Sequence, residues 1–190
     1  MGNEQANAVT RFWFALDPAS WFAGGEQLDA ELRSRFEGDV ACALRGELEG
    51  WAESSRGRLA LVLLLDQVTR NIYRGGPQAF SGDARALDHA SRATSSGEDQ
   101  QLEPRERYFL YLPFEHAEDQ RAQERAVSLY QGLEEGAAGS DAFLSNGVSY
   151  AERHHRVIAR FGRFPSRNAA LGRTSTAAER EFLRANPMGF

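Results

Sequence analysis

Apolar residues recur at three- and four-residue steps along most of this chain, and no convincing period-two alternation appears, so helices are expected throughout. Residues 4–15 end in the cluster Phe12, Trp13, Phe14, before an Asp17-Pro18 turn. Trp21 and Phe22 follow, and this aromatic N-terminus is expected to pack in the core. Residues 26–49 carry Leu28, Leu32, Phe36, Val40, Ala43 and Leu44 on one stripe, with weak points at Gly38 and Gly46. Residues 57–73 include seven consecutive apolar positions, Leu59 to Leu65, which leave no polar face. That helix is expected to be central and surrounded by others. Residues 82–96 predict a helix with a small stripe of Ala84, Leu87 and Ala90–Ala93. The next begins at Pro104, is kinked or divided by Pro113, and runs to about Leu133. A Gly/Ser-rich linker, EEGAAGSD, leads to a helix over roughly 142–161, capped by Gly162. Thr176 and Glu179 form a capping-box pattern for a last short helix. The expected fold is all-α, with about seven or eight helices and no sheet.

Composition narrows the class. At 190 residues the length suits one domain, and 42% apolar content supports a real core. All 22 basic residues are arginine, a usage that fits a GC-rich bacterial genome. The lone Cys42 excludes an internal disulfide and a cysteine zinc site, and its helical apolar surroundings suggest a small core residue. No signal peptide or membrane span is expected, so the chain reads as cytoplasmic. The net charge of −5 argues against general nucleic-acid binding.

That charge is unevenly spread. From Tyr150 to Thr176 lie six arginines, Arg153, Arg156, Arg160, Arg163, Arg167 and Arg173, with no acidic residue between Glu152 and Glu179. Guanidinium groups bind carboxylate or phosphate in a planar fork. Arg163, Arg167 and Arg173, with Asn168, are therefore candidates for an anion site. The alternative is structural: these arginines pair with Asp66, Glu115, Glu118 or Asp119 and tie the C-terminal loop down.

Two further groups carry possible chemistry. Glu115, His116 and Asp119 share a helical turn, suited to acid–base work or metal ligation. Glu152-x-x-His155 is half of a di-iron signature, but its second copy is missing, so no metal or cofactor is expected. A histidine held by a carboxylate is the plainer expectation for the 154–155 pair. Asp66, Gln67, Arg70 and Asn71 follow a fully apolar helix, so they should lie near the core. An Asp66–Arg70 or Asp66–loop arginine bridge is the default, and a ligand-binding amide from Gln67 or Asn71 the sharper alternative.

The blocks LALVLLLDQVTRNIYRG, YLPFEHAEDQ and AERHHRVIARFGRFPSRNAALGRTST, with the aromatic N-terminus, resemble the bacterial family catalogued as domain of unknown function 924. The resemblance runs from about Phe12 to Phe182. It implies a tetratricopeptide-like, right-handed array of antiparallel helical hairpins, although no 34-residue repeat is visible in the spacing. It implies no established activity. The family's recurrent polar positions fall on Asp66, Gln67, Arg70, Asn71, Glu115, His116, Glu118, Asp119, His154, Arg163, Arg167, Asn168 and Arg173. The chain departs at Val68-Thr69, where members commonly show Phe-Pro, and at Ser166, where they show histidine. His155 is not recurrent, which weakens a metal reading further. The functional expectation is binding of a small anion or a carboxylate-bearing peptide. The alternatives are a hydrolase using His116 or His154 as acid–base with arginines stabilising negative charge, and a purely structural interaction module. Oligomeric state and ligand identity are not specified by these patterns.

Overall fold

The computed structural model describes residues 2–136 and 141–187. Among these residues the secondary structure is helical, without strands. The helices are α1 (Gly2–Ala15), α2 (Ser20–Ala23), α3 (Glu26–Arg45), α4 (Ser55–Val62), α5 (Thr69–Ile72), α6 (Asp83–Ser96), α7 (Pro104–His116), α8 (Gln120–Gly136), α9 (Ala142–Phe161) and α10 (Ala177–Ala185). Residues 137–140 of the expected Gly/Ser-rich linker lie outside the described residues. Among the described residues no helix is long and apolar enough to cross a membrane. The chain divides into two compact units, Met1–Pro113 and Phe114–Phe190.

The first unit is built around the apolar segment. Leu59 through Leu65 are all buried, as their unbroken apolar run requires. The helix is not uniform, however. Leu63–Val68 winds as a π-helix between α4 and α5. A π-turn is wider than an α-turn and is found mostly as a single turn, often at functional positions. Here it places Asp66 and Gln67 in the core beside leucines, and both are buried. Packed around this helix are α1, α3 and α6. The N-terminal aromatics enter the core as expected: Trp13 packs edge-on to Phe109 at 5.6 Å, and Trp21 donates its indole N–H to the Trp13 carbonyl at 2.9 Å.

Several local expectations are corrected. In α3, Gly38 does not break the helix; the end falls at Gly46, whose φ of 78° suits a residue without Cβ. The buried stripe of α6 is Ala86, His89, Ala90 and Ala93, while Ala84 is exposed. Cys42 is half-buried rather than a core residue, with the Arg45 guanidinium 3.5 Å from its sulfur. Pro113 does not divide its helix. Proline loses only one helical hydrogen bond, and α7 continues through it for three residues. The break comes at residues 117–119, where Asp119 accepts from the Ala122 N–H at 2.8 Å and caps α8.

In the second unit α8 and α9 pack along one another. Gln123, fully buried, donates its amide to the carbonyls of Phe114, Glu115 and Ala117. It thereby satisfies acceptors that the end of α7 leaves without helical partners. Gly162, at φ 68°, turns the chain out of α9. Phe164 then packs with Val157 and Ile158, and Phe161 and Phe182 lie against that cluster. The Thr176–Glu179 capping box forms as expected at the start of α10.

Candidate functional site

In the first unit the polar quartet forms a buried network. Asp66 is fully buried and lies 2.9 Å from Arg70 Nη1. Its second oxygen accepts from Gln67 Nε2 at 2.6 Å. Arg70 also reaches Asp83 at 2.9 Å and donates to the Asp66 carbonyl. The expected Asp66–Arg70 bridge forms. Asn71 meets Gln67 through the backbone, donating to its carbonyl at 2.9 Å, rather than amide to amide. Asn71 Oδ1 accepts from Arg74, whose guanidinium grips Asp29 of α3 through two bonds at 2.8 and 2.9 Å. A hollow of about 410 Å³ opens here, lined by Asp29, Arg33, Asn71, Arg74 and Gln78 among others. Arg33 donates to the Ile72 carbonyl, closing the end of α5.

In the second unit the C-terminal loop is held by forks. Arg173 places two nitrogens on Glu118, at 2.6 and 2.9 Å, and donates to Asn168 Oδ1 and the Phe164 carbonyl. Glu118 also accepts the Phe164 N–H at 2.8 Å. Burial pushes the Glu118 carboxyl up, but Arg173 and the Phe164 amide outweigh it and hold it below the usual carboxylate range. Arg163 makes a second fork on Glu179, at 2.7 and 2.9 Å. Glu179 is buried and also accepts the Thr176 N–H. Spacing alone marked Glu179 as a helix cap; that the same carboxylate neutralises Arg163 went unseen, because the pairing spans sixteen residues of irregular loop. Buried Asn168 bonds Ser175 and approaches Glu179. Arg167 donates to the His116 carbonyl at 2.8 Å and lies over the Phe164 ring.

The two histidines named as acid–base candidates are neighbours, with ring centroids 6.2 Å apart. His154 is 7% exposed, so it is a core histidine. Its Nδ1 is 2.9 Å from the Tyr150 carbonyl and 3.2 Å from Glu115. The carbonyl can only accept, so Nδ1 carries a proton. His116 is half-buried. Asp119 is at the surface, where it caps α8. His155 bonds Gln120 at 2.6 Å, and Glu152 lies 3.7 Å from Arg156. Among the described residues no group of three or more His, Cys, Asp or Glu side chains is gathered for a metal ion. Ser166 is exposed.

The Glu179 carboxyl is held down to about 2, chiefly by the Arg163 fork and then by the Thr176 amide. A carboxylate whose folded pKa is depressed stabilises the fold fully above the unfolded value and loses that contribution as pH falls through the folded one. The second unit should therefore lose stability between about pH 4.5 and pH 2. Thermal unfolding followed across that interval checks this: Glu179→Gln should flatten the acid dependence, and an unchanged slope would remove Glu179 from the account.

The other three arginines of the basic block behave differently. Arg153, Arg156 and Arg160 line a hollow of about 560 Å³ with Val157 of α9 and with Phe182 and Asn186 at the end of α10. All three are exposed. Arg153 lies over the Tyr150 ring at 5.5 Å, and Arg160 over Phe161 at 4.8 Å and Phe182 at 5.9 Å. Cation–π contact orients a guanidinium without neutralising it. Among the described residues Glu152 lies 3.7 Å from Arg156, both side chains exposed, a pairing worth little.

A protein of unknown function from Agrobacterium tumefaciens, ATU0120, has a similar structure, with a TM-score of 0.85 and 38% identity over 95% of this chain and 97% of that one. No curated protein matches the chain. The family described as bacterial protein of unknown function (DUF924) matches residues 9–187. The blocks that hold the two networks, from Asp66 to Asn71 and from Glu115 to Glu179, all lie inside that match, and the chain belongs to this family.

Proposed function

We propose that this protein binds an anionic ligand, and that the ligand sits on the α9–α10 groove rather than on the forks of the C-terminal loop. One observation carries the reading. Arg163 and Arg173 have carboxylates filling their forks, whereas among the described residues Arg153 and Arg160 lie over aromatic rings and line a hollow. Three guanidinium groups kept close together in one groove repel one another, and an anion entering it relieves that repulsion. The hollow is within the size range of small-ligand sites. Asp66, Gln67, Arg70 and Asn71, with Arg163, Asn168 and Arg173, act in this reading as fold-locking groups. Of the two histidines a hydrolase would use, His154 is sealed against Glu115 and the Tyr150 carbonyl, which leaves His116 for that role.

Thermal shift at low ionic strength, with citrate and with pyrophosphate, tests the proposal. Each should raise the melting temperature of the full chain, by about 2.7 kcal/mol of stabilisation at a hundredfold excess over Kd. Arg153→Gln/Arg156→Gln/Arg160→Gln should cancel the shift without lowering the melting temperature of the free protein, since all three side chains are exposed. A shift that survives the triple substitution places the anion elsewhere and overturns the reading.

A further inference from the structure

Arg153, Arg156, Val157 and Arg160 occupy one face of α9 at steps of three and four residues. At 1.5 Å per residue the three guanidinium stems are spaced by about 4.5 and 6 Å, a row of roughly 10 Å. One phosphate or carboxylate cannot span that row. The floor between the charges is apolar, from Val157 and Phe182. Among the described residues the lining comes from the second half of α9 and the end of α10, not from a helix N-terminus, whose N–H groups are the usual seat of a phosphate.

From this combination we infer that the groove docks an acidic helical segment of another protein. This rests on reading the same groove as an anion site. Carboxylates at three- and four-residue steps on a partner helix repeat the 4.5 and 6 Å spacing of the arginines. An apolar residue on the same face meets Val157 and Phe182, in the manner of a helix seated in a groove.

Isothermal titration of the full chain in about 50 mM salt, where exposed charges are weakly screened, tests the inference. The probe is a capped alanine-based peptide of about four turns with three glutamates and one leucine on a single face. A peptide of the same composition, with the glutamates distributed around the helix, is the control. The patterned peptide should bind roughly tenfold tighter, and Arg153→Gln/Arg156→Gln/Arg160→Gln should remove that preference. Phe182→Leu, verified as folded by its melting temperature, should weaken the patterned peptide more than the control. Equal binding of the two peptides overturns the docking inference; if citrate still binds and is lost in the triple variant, the anion groove itself stands. Binding of every anion undiminished by the triple substitution overturns both.

Discussion

Replacing Asp66 by alanine should lower the stability of this protein by about 3 kcal/mol, because it removes the more deeply buried of the two carboxylates, Asp66 and Asp83, that lie 2.9 Å from Arg70. The carboxylate is fully buried in the π-turn, between leucines, and accepts from both Arg70 and Gln67. Its removal takes one carboxylate from the Arg70 guanidinium and the side-chain acceptor from the Gln67 amide. Asp83 also contacts Arg70, which limits the loss. Domains of this size are stable by only about 5–15 kcal/mol, so the variant should approach the limit of folding. A fall of roughly 10 °C in melting temperature is the readout. Asp66→Asn keeps the shape and the Gln67 contact and should cost less. A melting temperature for Asp66→Ala within about 2 °C of the parent would mean that Asp83 alone neutralises Arg70 and that Asp66 is not the anchor of the network.

Gly82→Ala should cost about 3 kcal/mol, the upper end for overpacking. Gly82 is buried just before α6, and a Cβ there would be driven into the carbonyl and Cα of Leu65, within the π-turn. The obstacle is backbone, which cannot rotate aside as a side chain can. The contact thus sets how closely the start of α6 approaches the central helix. Gly38→Ala, in the interior of α3 with open space around the position, should have the opposite sign and stabilise by about 0.5–1 kcal/mol. Urea unfolding of both variants compares the two. If Gly82→Ala proves neutral, the central helix can yield at Leu65, and the π-turn is not pinned there.

Much of the helical layout was legible before any coordinates. The spacing of Leu32, Phe36, Val40 and Ala43 marks α3, and those residues are its buried face. The Leu59–Leu65 run marks the central helix, and Thr176 with Glu179 marks the start of α10. Such features depend on neighbours within one or two turns. The π-turn was not legible, because an apolar run on all faces carries no phase from which an inserted residue could be detected. Nor was the helix break at 117–119, because Pro113 is a stronger local signal than the Asp119 cap that actually starts the next helix.

The candidate site divides along the same line. That six arginines with one acid, Glu152, among them need counter-charges is written in the chain from Tyr150 to Thr176. Which of them find one is decided by tertiary structure. The loop after Gly162 folds back to place Arg173 on Glu118 and Arg163 on Glu179, pairs separated by 55 and 16 residues. The face of α9 carrying Arg153, Arg156 and Arg160 meets α10 through Phe182, and rings stand there where carboxylates would be needed. Helix and cap are local free-energy minima that short-range sequence can encode. Neutralisation of a charge depends on what the rest of the chain brings within about 4 Å of it, and only the folded structure sets that distance.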